Sequence, residues 1–348
     1  LKSTASAPLL LDSLYVNNSG GLMLLRYLVE KAMEIRQGAH FLLDSRCAEV
    51  FSHIPESNKT ILTPGIRARR RFYSRNRDRF SGVLCFGNIP PPCRLAVPVY
   101  TYLHNPLLLA TPDGYPLRQK LSKLLKTTFI RLHLGNTDGI FVQTGFMARM
   151  LMENWHYPEE KIHLFPFFDG RRFTPLHDQE KNANEYLFIN DGNPHKNHIN
   201  LLRAWALVNQ KQPGWRLNLT VSGRFPEVVA RIEEYRNQGV NILNHGFTDP
   251  VNVYSRCRYL IYPSLTESFG LGLIEGTLAG LQVICSDLPY AHSVLEPSAV
   301  FDPLNPEKMA AVILANRTEN ENFRPTRLIT RDCINDMLAM WNKPDGDA

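Results

Sequence analysis

Two carboxylates eight positions apart, Glu267 and Glu275, bracket a stretch suited to holding an anion. The run is PSLTESFGLGLIEGTLAG, Pro263 to Gly280. YLIYPS reads as a strand ending at Ser264, and LTESFG as a loop. LGLIEGTLAG has helical spacing, with Gly280 as a left-handed stop before the next strand, LQVICSD. At such a junction the first N–H groups of the helix lack intrahelical partners, and the positive end of the helix dipole adds to them. Gly270 and Gly272 let the backbone approach a ligand closely. Carboxylates beside an anion repel it unless they serve neighbouring hydroxyls. A diphosphate with a sugar on one side and a ribose on the other supplies both. The plainer alternative is a solvated helix start with two surface glutamates.

Other chemistry-bearing residues follow strand ends. Lys196, in INDGNPHKNH, stands at a helix entrance where a cation suits a phosphate. Arg224 follows the strand end in VSGRF. In NNSGG, Gly20 and Gly21 can bring backbone N–H groups to a ligand. YTYLHNP ends a strand with His104 and Asn105, and Gln143 and Thr144 follow GIFV. Each also has an ordinary structural reading. The Asp-x-Asp pattern of many metal-dependent transferases occurs only at Asp345–Asp347, in the terminal tail. The HKNH histidines, His195 and His198, have no carboxylate or cysteine partner at metal-ligand spacing, so no catalytic metal is expected.

The elements that must position these residues alternate. Strand candidates at Leu9–Val16, Ala39–Asp44, Gly82–Phe86, Val97–Leu103 and Gly139–Val142 are separated by amphipathic helices such as Leu22–Arg36. After a loop-rich stretch at Pro158–Pro175 the rhythm restarts: Tyr186–Asn190, Arg216–Ser222, Val240–Leu243, Tyr259–Tyr262 and Gln282–Ser286. This implies an α/β chain of two doubly wound parallel sheets whose carboxyl ends face a central cleft. The expected domains are 1–170, 171–329 and a C-terminal helix and tail, 330–348, packing back on the first. A chain of 348 residues suits two domains.

Composition narrows the class. Apolar content of 44% and charge of 21% fit a soluble globular protein. No apolar run approaches the ~20 residues needed to cross a bilayer. The N-terminus shows no signal-peptide pattern, and six scattered cysteines without a CxxC pair read as reduced thiols of a cytoplasmic protein. The net charge of +6 is uneven. Residues 1–176 carry 23 Lys+Arg and 13 Asp+Glu, leaving the remainder net acidic. Two basic segments stand out there. Arg67–Phe80 holds seven arginines, among them Arg69, Arg70 and Arg71, interleaved with aromatics. That pattern suits RNA or anionic lipid headgroups, or a solvated loop. Leu117–Leu132, with Lys123 and Lys126, reads as a basic amphipathic helix that lies on a membrane interface or turns its leucines to the core.

Pro263–Gly280 closely resembles the Glu-x7-Glu motif of retaining glycosyltransferases of family 4, which have the GT-B fold. The resemblance is good over Tyr186–Val312. In the first half it rests on NNSGG, FGNIPPP, YLHN and FVQT. It implies that Glu267 holds hydroxyls of the transferred sugar, that the amides of Ser268, Phe269, Gly270 and Leu271 meet the diphosphate with Lys196, and that Glu275 holds the ribose. It places Gly20 and Gly21 near the donor phosphate and the acceptor, and His104 near the sugar. Glu267, His104 and Lys196 form the implied catalytic set. The family often has an arginine six positions before the lysine. Here that position is Asn190, and Arg224 is the candidate substitute. The implied activity is metal- and cofactor-free retaining transfer from a UDP- or GDP-sugar to a saccharide, lipid-linked if Arg69, Arg70, Arg71, Lys123 and Lys126 meet an anionic membrane at its inner face. Synthesis of a polysaccharide, O-antigen or capsule-type glycan would be its setting. The alternatives are a GT-B sugar-nucleotide epimerase, or a protein binding nucleic acid through Arg67–Arg79, the less favoured partner.

Overall fold

The structure, a computed structural model, describes residues 7–35, 38–110, 115, 117–173 and 181–341. The chain divides into two compact units. The first runs to Asp169 and also takes the segment from Arg331 onward; the second is Gly170–Thr330 with Tyr115.

The first unit is built on seven parallel strands, β1 (Leu9–Asp12), β2 (Ala39–Asp44), β3 (Lys59–Leu62), β4 (Gly82–Cys85), β5 (Val99–Tyr102), β6 (Gly139–Val142) and β7 (Ile162–Leu164), in the order β3-β2-β1-β4-β5-β6-β7. LLLD, GVLC and GIFV are buried throughout, as strands covered on both faces must be. Its helices are α1 (Ser19–Met33), α2 (Ile66–Arg75), α3 (Leu117–His133) and α4 (Gly145–Trp155). The edge strands β3 and β7 escape the sequence reading because they are short and only half-buried.

The second unit has a six-stranded sheet. Its strands are β8 (Asn182–Phe188), β9 (Arg216–Leu219), β10 (Ile242–Asn244), β11 (Cys257–Tyr262), β12 (Gln282–Ser286) and β14 (Ala299–Phe301), in the order β10-β9-β8-β11-β12-β14. β13 (Leu295–Glu296) pairs antiparallel with β15 (Arg327–Leu328). The helices are α5 (His198–Lys211), α6 (Pro226–Asn237), α7 (Pro250–Tyr254), α8 (Leu271–Leu278), α9 (Pro289–His292) and α10 (Pro306–Ala315). In each sheet the order reverses beside the first strand, between β1 and β4 and between β8 and β11. Loops at the carboxyl ends of those strands form the crevice in which such sheets bind ligands. No helix among the described residues is long and apolar enough to cross a membrane.

The segment from Arg331 is not one helix from Thr330 to Trp341. It forms no helix up to Cys333, whose N–H donates to the Pro166 carbonyl at 2.8 Å. α11 then covers only Ile334–Leu338, with a 3-10 turn to Trp341. Asp332 sets the break: one oxygen accepts from the Ile334 N–H at 3.1 Å and the other from the Tyr27 hydroxyl at 2.5 Å. The Trp341 indole lies over Gly82, edge-on to Tyr100 and Phe141.

Arg69 is corrected from a surface cation to a core one. It is 4% exposed, and its Nε donates to Asp12 Oδ2 at 2.8 Å. Its other nitrogens donate to the carbonyls of Pro90 and Ile89 at 2.7 and 2.9 Å. The Tyr73 hydroxyl donates to the same carboxylate at 2.7 Å. A guanidinium has five donors, and burying one requires partners of this kind. α2 thus helps fix the FGNIPPP turn, and Arg70 and Arg71 remain exposed on its outer side. The segment is helix as far as Arg75 and a turn from Asn76 to Phe80.

Candidate functional site

The residues that converge lie at the β8/β11 reversal. Lys196 ends a 3-10 turn, Pro194–Lys196, that follows β8. Glu267 lies in the loop after β11. The two are 71 residues apart in sequence, yet Nζ of Lys196 donates to both Glu267 oxygens, at 2.7 and 2.9 Å. Each residue is only 9% exposed. Backbone also joins the loops, the Leu265 N–H donating to the His195 carbonyl at 2.8 Å. Asn197 is left-handed, with φ of 63° and an amide that donates to Pro263 and Pro303 carbonyls, so α5 starts after Lys196. Tyr262, the last residue of β11, donates to Glu267 at 3.1 Å and accepts from Asn190 at 3.1 Å. Asn190, where the resembled family often has arginine, therefore supports the carboxylate through a tyrosine.

The loop carrying Glu267 runs into α8. Gly270 caps it with φ 67° and ψ 54°, a conformation other residues adopt only at a cost. Its first turn holds no acidic residue. A side chain at Gly272 would meet the Tyr262 ring at 2.9 Å. Ser268, Phe269 and Leu271 surround this turn, with Phe269 buried. Glu275 sits a turn into the helix. The Tyr254 hydroxyl donates to its Oε2 at 3.2 Å and to the Gly272 carbonyl at 3.3 Å. Burial pushes the Glu275 carboxyl up to about 7, against opposing pulls from the Tyr254 hydrogen bond and Arg172.

Behind Lys196, His198 is buried against Phe188, with ring centroids 4.7 Å apart. Burial, then Lys196 and His195, lowers its pKa to about 3, so it stays neutral. His195 Nδ1 lies 2.7 Å from the Tyr115 hydroxyl. Arg224 is exposed in the turn before α6, and no hydrogen bond or ion pair joins it to Lys196 or Glu267.

In the first unit, Gly20 and Gly21 fall within the first turn of α1, not in a separate loop. A Cβ at Gly21 would be 3.8 Å from His104 Nε2, so these residues adjoin. Asn88, left-handed at φ 64°, holds the histidine. Its Oδ1 accepts the His104 N–H at 2.7 Å, and its Nδ2 lies 3.0 Å from Nε2. Burial lowers the His104 pKa to about 4. Gln143 is buried, and Thr144 caps α4 by accepting from the Met147 N–H at 3.2 Å. In α3, Lys126 is exposed and Lys123 half-buried, its pKa lowered by burial and by Lys126. Among the described residues, no three of His, Cys, Asp and Glu converge so as to hold a metal ion.

Sequence reasoning missed Tyr262, Tyr254 and Asn88 as members of these clusters. Tyr262 carried a signal, its place at a strand's carboxyl end. Tyr254 and Asn88 carried none, since their partners are 21 and 16 residues away.

Fold and geometry define an α/β protein of the GT-B type: two Rossmann-like units, the second with a helix start flanked by glutamates and a lysine. Residues 173–324 match the family model described as glycosyl transferases group 1. Over 55 residues it is 40% identical to the O-antigen chain mannosyltransferase RfbU of Salmonella typhimurium, covering 16% of this chain and 15% of that protein. Over 126 residues it is 30% identical to the poly(glycerol-phosphate) alpha-glucosyltransferase of Bacillus subtilis, covering 34% and 19%. The matched segments are thus under a fifth of either relative's length. A solved structure of Anabaena Alr3699/HepE in complex with UDP shares the fold at a TM-score of 0.69 and 14% identity, covering 96% of this chain and 94% of that one.

Proposed function

We propose that this protein transfers a hexose from a UDP- or GDP-sugar to a saccharide acceptor with retention of anomeric configuration. The observation that carries the reading is the buried Lys196–Glu267 pair across the strand reversal, beside the amide end of α8 and Glu275. Lys196 and the amides of Ser268–Leu271 take the donor diphosphate, the kind of preorganised charge that stabilises a leaving group. Glu267 accepts from sugar hydroxyls and Glu275 from the ribose. No metal is required, because the cation and amides carry the neutralisation. The acceptor hydroxyl attacks the anomeric carbon on the face the diphosphate leaves. The new glycosidic bond forms as the C–O bond to phosphate breaks, and the hydroxyl proton passes to the departing phosphate oxygen. Retention rests on the Glu-x7-Glu resemblance. The names of the two curated relatives, a mannosyltransferase and a glucosyltransferase, support a hexose donor, the O-antigen chain named for the first supports a saccharide acceptor, and the UDP-bound neighbour supports a nucleotide. The working site is the cytoplasm, at the inner membrane face where the acceptor is lipid-linked.

The test begins with thermal shifts against UDP- and GDP-sugars, since ligand binding only the folded state raises stability by mass action. With the selected donor, Lys196→Ala and Glu267→Gln should each lower turnover by about 100-fold or more. Glu267→Gln should still fold, melting several degrees below the wild type because Lys196 loses its partner charge. NMR of the product should show the donor's anomeric configuration. Undiminished turnover in either variant, or an inverted product, would overturn the reading.

A further inference from the structure

α3 presents its apolar side outward. Its inward contacts are Ile130, buried in the first unit's core, and the Thr127 hydroxyl, which donates to the Leu108 carbonyl at 2.9 Å. Leu117, Leu121, Leu124, Leu125 and Leu132 are all more than half exposed, from 57% to 82%. At about 100° per residue these leucines, with Thr128 among them, share an arc about 100° wide. Lys120 and Arg131 border one side of that arc and Arg118 the other, all exposed. Lys123 and Lys126 fall on the opposite half of the helix. No acidic residue occurs from Leu117 to Asn136. Single exposed leucines are ordinary; five on one face mark a surface that something covers.

We propose that α3 lies in the plane of an anionic phospholipid bilayer surface, its leucines in the acyl boundary and Arg118, Lys120 and Arg131 on the lipid phosphates. Charge decides the occupant. A second copy of this chain would set cations against cations with no acid on the helix to answer them, whereas anionic headgroups complement the rim and the bilayer takes up the leucines. The inference deepens the transfer reading, since a lipid-linked acceptor would then be met at its own surface. Docking itself requires no donor.

The test is flotation of the full chain with vesicles of phosphatidylglycerol and phosphatidylcholine, and with phosphatidylcholine alone. Binding should be at least tenfold stronger to the anionic vesicles and fall at 0.5 M salt (about a 4 Å screening length). Leu121→Glu/Leu124→Glu/Leu125→Glu should lose binding at least tenfold, with unchanged melting temperature and unchanged thermal response to nucleotide sugar. If that variant misfolds, Arg118→Ala/Lys120→Ala/Arg131→Ala keeps the leucines and should lose the salt-sensitive part. Equal binding to neutral vesicles, wild-type binding by the leucine variant, or no vesicle binding at all overturns the proposal. A concentration-dependent dimer that the leucine variant dissolves, without vesicle binding, assigns the face to a second copy instead. Lost docking with intact donor response faults this inference alone; intact docking with no donor response faults the transfer reading alone.

Discussion

Lys196 and Glu267 form a buried pair, and such a pair costs about 3–5 kcal/mol to break from one side because the remaining charge is left unmatched. Glu267→Gln keeps an acceptor for Tyr262 but leaves the Lys196 charge unmatched, so its loss of turnover is read on folded protein against its lowered melting temperature. Glu275 poses a different electrostatic problem. Its carboxyl ordinarily ionises near 4.5, and burial moves that to about 7 in the folded chain. Between those values the unfolded chain has released its proton while the folded chain retains it. Stability therefore falls as pH rises from 4.5 to 7, by ~3 kcal/mol for this one group, and levels off above. Glu275→Gln should flatten the fall, narrowing by several degrees the difference in melting temperature between pH 5 and pH 8. An unchanged difference would mean that Glu275 titrates normally. The two glutamates and the glycines between them were legible in the sequence because one strand, one loop and one helix start carry them. The pairing of Glu267 with Lys196 was not, because it depends on β8 and β11 being neighbours in the sheet. Arg69 misled for a related reason. An arginine among six others has nothing local to mark it as the one that faces Asp12.

At the scale of elements, the loop carrying Lys196 is held by packing as well as by hydrogen bonds. A Cβ on Gly192 would fall against Cβ and the ring of Phe225, at the start of α6. Gly192→Ala must therefore push the GNPHK turn aside, at ~1–3 kcal/mol. We expect a lower melting temperature together with weaker nucleotide-sugar binding. Gly214→Ala, where nothing lies within 4 Å, should change neither. A silent Gly192→Ala would show that this turn adjusts freely. Strand–helix alternation made most of these elements readable, since buried parallel strands are short continuous apolar runs. Facing was not readable. The leucine spacing of α3 defines one apolar side whether that side turns in or out, and only the seating of Ile130 and Thr127 decides it. The first turn of α1 was read as loop because Gly20 and Gly21 are poor helix formers, whose propensity the surrounding fold overrides.

At the scale of the whole molecule, each sheet reverses direction beside its first strand, and the residues proposed to meet the donor follow strands next to those reversals. That repetition was legible as rhythm, though not as literal repeat. What no local pattern announced is how the first unit is finished. Ile334, Met337 and Leu338 are buried, and Trp341 lies on Gly82, Tyr100 and Phe141, holding strands β4 to β6 together at one end. Trp341→Ala should cost up to about 3 kcal/mol. Hydrogen exchange should quicken in Gly82–Cys85, Val99–Tyr102 and Gly139–Val142 while β8 and β11 keep their protection. Uniform exchange across both units would argue against this local role. The same indole bears on how the protein is made. All seven strands of the first sheet have been synthesised by Leu164, and Trp341 follows roughly 180 residues later. At 5–20 residues per second the sheet waits roughly 10–35 s for that cover, with the aromatic ground under it open to a chaperone. The unit that begins first is completed last, after the second unit has emerged.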